Sequence, residues 1–181
     1  QGEALAKFFK DKGQTEIKYI LLNGILGQTS TTNRTASVLQ ALADNGITAT
    51  EASAPLVCDY DRATAMDQIS PLLTAKTEFD CIISNNDAMA LGAIEAMKAI
   101  GMDPSSVPIV GIDCTADGAA AINLLNGSPI NEGTDFEIDS ENPYIVWSPS
   151  SPWIPATSAI ISKFPEDRGI EKCPCPPSET N

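Results

Sequence analysis

Segments with helical spacing alternate with short apolar, β-prone runs along the first 125 residues, and that alternation is the strongest limit on the fold. Helices set between short apolar strands make βαβ units, which build a parallel sheet with right-handed crossovers. The expected architecture is α/β, a parallel sheet flanked by helices on both faces. Glu3 to Lys12 reads as a helix with Leu5, Phe8 and Phe9 on one side and Gly13 as its stop. Ile17 to Leu22 is apolar apart from Lys18 and β-prone, the pattern of a strand buried on both faces. After a loop holding Gly24 and Gly27, a long helix from about Ser30 to Asn45 turns Val38, Leu39 and Leu42 inward and stops at Gly46. Ile47 to Ser53 is the next strand.

The pattern then repeats. Asp59-Tyr60-Asp61 forms a turn that can cap a helix from Arg62 to Thr74, with Ala65, Ile69 and Leu72 inward. Cys81 to Ile83 is a short buried strand. Asn86 or Asp87 can cap the helix that runs to Ile100 and closes at Gly101. Pro108 to Ile112 is a strand, and Asp117 can begin another helix. Beyond Leu125 the texture changes, because nine of the 13 prolines lie from Pro129 onward and interrupt every period. Phe136 to Ile138 and Tyr144 to Trp147 can form strands. The expected organisation is one lobe over residues 1–147, with 148–181 an irregular or disordered tail.

Charge narrows the function. Lys plus Arg number 11 against 24 Asp plus Glu, a net charge of −13, which argues against nucleic-acid and anionic-membrane partners. Histidine is absent, which excludes Ser-His-Asp and Cys-His nucleophiles and His-ligated zinc within these residues. No apolar run reaches the roughly 18 residues needed to cross a bilayer. The first residue is Gln1 rather than Met, the start expected of a processed or cut chain. Five scattered cysteines do not make a disulfide framework; Cys81 reads as a buried thiol, and Cys173-Pro-Cys175 lacks the second half of a zinc site. No metal or cofactor is called for.

Ligands of open parallel sheets bind beyond the carboxyl ends of the strands. The polar residues there are Asn23, Gln28, Ser30 and Arg34, then Asp59, Tyr60 and Asp61, then Asn85, Asn86 and Asp87, and finally Asp113. Carboxylates and amides take adjacent hydroxyls two at a time, and an aromatic ring covers the C–H face of a pyranose, so the inventory suits a neutral polyol. Asp61 and Asp87 read better as helix caps than as ligands. Asp113 directly follows a buried strand, where an unpaired charge is costly, and Arg34 sits near a helix start against the dipole. Both favour a role at a site. An Asp87–Asp113 acid/base pair of the glycosidase kind is the weaker account of those carboxylates, and the chain is not expected to be an enzyme.

The stretch from Ile82 through Ser84-Asn85-Asn86-Asp87-Ala88-Met89-Ala90-Leu91-Gly92 to Lys98 closely resembles the signature of type I periplasmic sugar-binding proteins, within them the galactose/glucose-binding branch. Gly24 to Gln28, running on to Asn33-Arg34-Thr35, is similar to that branch's loop and helix start, and Val110 to Asp113 looks like its strand ending in a sugar-binding aspartate. The resemblance implies a monosaccharide site in which Arg34 holds a ring or anomeric oxygen, Asn86 donates to hydroxyls and Asp113 accepts from two of them. Tyr60 falls at the branch's stacking tryptophan, and Gln28 at a polar histidine. Ser30 replaces an aspartate that contacts the anomeric hydroxyl, which leaves one charged acceptor fewer.

The resemblance further implies a non-enzymatic solute-binding protein, periplasmic or extracellular, that closes two lobes over a sugar such as galactose or glucose. The closed form is presented to an ABC permease or a chemoreceptor. These residues match only the second lobe and the return segment near Trp147. The effector-binding core of a sugar-responsive repressor is the alternative on the same fold; a helix-turn-helix would mark it, and none lies in these residues. Between Ile122 and Asn123 the family pattern has further helix and strand, so a deletion of a few tens of residues is inferred there. Read one nucleotide earlier, Trp153-Ile154 yields an Asp codon, as the family's next segment has. The tail from about Ser148 is therefore either out of frame or a lineage-specific extension.

Overall fold

A computed structural model describes residues 1–113, 115–125 and 145–146. In chain order the elements are α1 (Gly2–Asp11), β1 (Glu16–Asn23), α2 (Thr29–Asp44), β2 (Thr48–Glu51), β3 (Leu56–Val57), α3 (Arg62–Thr74), β4 (Cys81–Ser84), α4 (Asp87–Ala99), β5 (Ile109–Val110), α5 (Ala116–Leu125) and β6 (Ile145–Val146), with a short 3-10 turn at Pro104–Ser106. All pairings among them are parallel, in the order β2-β1-β4-β5-β6, and β3 joins the upper end of β1 on the β2 side.

Parity along the strands separates two cores. Ile17, Tyr19, Leu21, Cys81, Ile83 and Val110 pack on one face with Leu5 and Phe9 of α1 and Val38 and Leu42 of α2. Ile20, Leu22, Ile82 and Ile109 pack on the other with Ala65, Ile69 and Leu73 of α3 and Met89, Ala93 and Met97 of α4. The expected α/β sheet with helices on both faces is what the chain forms. Gly92 lets α3 and α4 close together, because a Cβ there would sit 2.2 Å from the Arg62 carbonyl oxygen.

Several expectations need correction. In α3 Leu73 is buried as well, keeping the i, i+4 stripe from Ala65 and Ile69, while Leu72 packs against the same core only partly buried. The second strand is only Thr48–Glu51, because the chain bends at 52–54, and Leu56–Val57 after Pro55 returns to β1 as a separate strand. The strand expected from Pro108 to Ile112 shrinks to Ile109–Val110. Asn86, not Asp87, caps α4 by accepting from the Met89 amide at 3.0 Å. Asp61 caps α3 as expected, accepting from the Thr64 amide and hydroxyl at 2.7 Å each. Cys81 is fully buried, as is Cys58, whose thiol burial pushes up to about 11. β6 lies within the strand expected from Tyr144 to Trp147. Helix α5 runs through 122–123. The Phe136–Ile138 strand and the 148–181 tail lie outside the described residues.

Four helices end the same way, with paired backbone bonds returning to the last turn. Three of the left-handed residues that close them are Gly13, Gly46 and Gly101; the fourth is Lys76, at φ 55°. A side chain in that conformation is strained. Lys76→Gly is expected to stabilise the chain by about 0.5–1 kcal/mol, read as a higher denaturation midpoint in urea. No change, or a loss, contradicts the strain at this helix end.

Candidate functional site

The helix that follows β1 leaves on one face of the sheet, and the helix that follows β4 leaves on the other. Because β1 and β4 are neighbours, their carboxyl ends open a crevice at this reversal, the place where open α/β sheets bind ligands. Four segments meet there: the end of β1 with the start of α2, the loop before α3, the β4–α4 turn, and the residues after β5.

Arg34 crosses the crevice from α2. Its Nη1 donates to the Asn85 carbonyl at 2.7 Å and its Nη2 lies 3.4 Å from Asp113 Oδ1. The two side chains keep 24% and 32% of their exposure, so the pair is open on one side. Asp113 has φ 116°, a strained conformation for a residue with a side chain. Burial pushes its carboxyl pKa up, and the Arg34 charge opposes the rise without cancelling it.

Tyr60 binds the loop before α3 to α2. Its hydroxyl lies 2.8 Å from Ser30 Oγ and 2.7 Å from Thr31 Oγ1. Its ring lies against Gly24, where a Cβ would come within 2.1 Å of the Tyr60 Cζ. The Arg34 guanidinium stands 5.9 Å from the ring centre, the outer limit of a cation–π contact. Asn86 is buried: its Oδ1 is committed to the cap of α4, and its Nδ2 faces the Tyr60 carbonyl at 3.4 Å. Gln28 and Ser30 are exposed at the rim, with Ser30 Oγ 3.4 Å from Gln28 Oε1.

All six residues expected at a site, Gln28, Ser30, Arg34, Tyr60, Asn86 and Asp113, therefore stand around one crevice. Asp87 does not. It is fully buried, and its Oδ2 accepts from the Thr115 amide and hydroxyl at 2.8 and 3.2 Å. A second row joins Asn23 and Asn85, both named among the strand-end residues, through Thr35, which that inventory lacked. Asn85 Oδ1 accepts from the Gly24 amide, and Asn85 Nδ2 donates to Thr35 Oγ1, each at 3.1 Å. The Thr35 hydroxyl donates to Asn23 Oδ1, also at 3.1 Å. The signal was the spacing of Thr31 and Thr35, which share one helix face. The Gln1 amide also bonds here, donating to the Ser84 and Gly111 carbonyls at 2.7 and 2.9 Å.

Residues 1–146 match the periplasmic binding protein domain family. The chain belongs to that family. It is 34% identical over 122 residues to the ribose import binding protein RbsB of Escherichia coli K12, a match covering 67% of this chain and 40% of that protein. It is 32% identical over 148 residues to the D-galactose/methyl-galactoside binding periplasmic protein MglB of Haemophilus influenzae, covering 75% and 43%. The crystal structure of an ABC transporter solute binding protein from Bacillus halodurans with bound myo-inositol aligns with a TM-score of 0.57 at 27% identity, covering 68% of this chain and 42% of that one. This periplasmic binding protein domain spans about two fifths of the length of the curated relatives it matches. Ribose-named and galactose-named relatives stand at nearly equal identity, so the resemblance reaches the family and not one branch of it.

Gly24→Ala is expected to destabilise the domain by about 1–3 kcal/mol, because the added methyl must displace the Tyr60 ring. In Gly24→Ala/Tyr60→Ala the clash is gone, and the alanine at 24 should cost little beyond the loss of the tyrosine. Thermal denaturation of the four chains checks this; purely additive losses contradict it.

Proposed function

We propose that this chain is the sugar-binding lobe of a periplasmic solute-binding protein serving an ABC transporter, and that it holds a neutral monosaccharide such as galactose or glucose at the carboxyl ends of its strands. The observation that carries this reading is the reach of Arg34 across the crevice to Asn85 and Asp113. A guanidinium and a carboxylate side by side sum to no net charge, yet offer charged donors and charged acceptors. A ligand made of hydroxyls uses both, at about 1.5–3 kcal/mol for each charged hydrogen bond, whereas an ionic ligand meets a like charge. Arg34 donates to a ring or anomeric oxygen, Asn86 donates through its amide, and Asp113 accepts from two adjacent hydroxyls. Tyr60, Ser30 and Gln28 line the rim. The sugars and cyclitol named for the relatives are uncharged polyols, which supports the class.

The reading entails a membrane permease as partner, and a chemoreceptor where the closed form signals. It also entails a second lobe, because Arg34 and Asp113 remain open on one side. A closed pocket buries 70–90% of a small ligand, as a general pattern. By itself the 181-residue chain is therefore expected to bind weakly, with dissociation constants on the order of millimolar. Calorimetry and NMR titrations with galactose, glucose, ribose and myo-inositol test this. Signals of Arg34, Asn86 and Asp113 should shift with at least one of them, and Arg34→Ala and Asp113→Ala should each remove the response. Absence of any shift at these residues overturns the site, and a submicromolar constant overturns the one-wall account.

Asp113 accepts hydroxyls as a carboxylate, so affinity should fall as pH drops through its raised pKa, and Asp113→Asn should be flat there. Stability moves the other way. The folded chain holds that proton more tightly than the unfolded one, so this contribution is lost as pH rises from the ordinary carboxyl value through the raised one. Sugar titrations and urea denaturation across that range check both signs.

A further inference from the structure

Asn85 is fully buried and is bonded on every side. Its backbone amide donates to the Leu22 carbonyl at 3.0 Å, which extends the β1–β4 pairing by one step. Its side-chain oxygen takes the Gly24 amide just after β1, and its side-chain nitrogen donates to Thr35 on α2. The Thr35 hydroxyl in turn donates to Asn23 Oδ1. The Asn85 carbonyl receives the guanidinium of Arg34, the residue beside Thr35. One residue thus holds both the helical turn that carries Arg34 and the head group of Arg34 itself.

We propose that Asn85, acting with Thr35, is the positioning residue for Arg34: its amide fixes the turn, its carbonyl fixes the guanidinium, and together they aim the second guanidinium nitrogen at Asp113. An arginine on a half-exposed helix turn otherwise samples many rotamers, and a ligand has to order it. A guanidinium held in advance spares the ligand that ordering. The importance for sugar binding rests on the function proposed above, but the positioning is open to test without any sugar.

The readout is the Asp113 carboxyl, followed by carbon-13 NMR across pH in the whole 181-residue chain. Arg34 holds that carboxyl below where burial alone would put it. Arg34→Gln sets the reference, with Asp113 titrating at higher pH. Asn85→Ala and Thr35→Val are expected to move Asp113 in the same direction, because the helical turn that carries Arg34 is no longer pinned by the Asn85 amide and the guanidinium, although the carbonyl of residue 85 remains, is aimed less well at Asp113. Thr35→Ser, which keeps the hydroxyl, should leave the wild-type titration in place. In an Arg34→Gln background neither Asn85→Ala nor Thr35→Val should add a further shift.

A merely structural asparagine would lower the denaturation midpoint and leave Asp113 where it was. The proposal is overturned by an unmoved Asp113 titration in folded Asn85→Ala and Thr35→Val, or by a shift that persists undiminished without Arg34. Thr35 is only half-buried, so Thr35→Val decides alone if Asn85→Ala does not fold. If the titrations follow the expected pattern and no sugar perturbs the crevice, the functional reading falls and the positioning stands.

Discussion

β1 is paired along both edges, and from Tyr19 to Leu22 it is buried on both faces. β4 runs along one side of it, and β2 and β3 share the other. Tyr19 and Leu21 bury against α1 and α2, while Ile20 and Leu22 bury against α3 and α4. A strand enclosed this way has one workable register, because a slip of one residue would exchange its two faces. The position of every other element follows from it. The carboxyl end of β1 is then the point from which the chain must leave on the side opposite to its neighbour β4, and the crevice is a consequence of that reversal.

Strain and charge gather at the same end. Four described non-glycine residues have positive φ, and three of them, Asp59, Tyr60 and Asp113, lie at the crevice; the fourth is Lys76 at a helix end. Such conformations persist where surrounding contacts over-determine them. Tyr60 is held by two hydroxyls and by the surface of Gly24, and Asp113 stands opposite Arg34. The Arg34–Asp113 contact is long, and burial outweighs the arginine in setting the carboxyl's pKa. A pair this loose, half in solvent, adds little to stability. Its lone pairs and N–H groups are correspondingly available to something else.

Much of this was legible in the residues. Periodicity gave the helices, and glycines marked three of their ends; the apolar run that ends at Leu22 announced a strand with two buried faces, which β1 has from Tyr19 to Leu22, whereas Lys18 within the run is exposed. The strand ends pointed to a wider set of polar residues, because the position of a ligand in such a sheet follows from topology, and the family resemblance narrowed that set to the six that meet at the crevice. What was not legible depends on three-dimensional partners. Asn86 and Asp87 are both good caps by type. The Thr115 amide and hydroxyl, arriving from beyond β5, hold the Asp87 carboxylate, and the cap falls to Asn86. Likewise Asn85 is one more polar residue in a row until Gly24 and Thr35 are placed beside it. Leu73 is the more deeply buried of the α3 leucines, while Leu72 also packs against the core, partly buried.

The division of labour between the two rows of polar residues explains how a half-open site keeps its shape. Asn23, Thr35 and Asn85 sit under the crevice and satisfy one another and the backbone, so their polar groups are spent on structure. Arg34, Asn86 and Asp113 sit above them; Arg34 and Asn86 are each tied at two atoms, and the Arg34–Asp113 pair keeps part of its surface open. Buried networks that are fully satisfied are rigid, whereas partly satisfied groups at a surface are kept soluble by water. Under the function proposed above, a polyol entering the crevice would exchange that water for its own hydroxyls without asking the lower row to move. Affinity then depends on how completely the ligand is covered, and a lobe that supplies one wall leaves that to whatever closes over it.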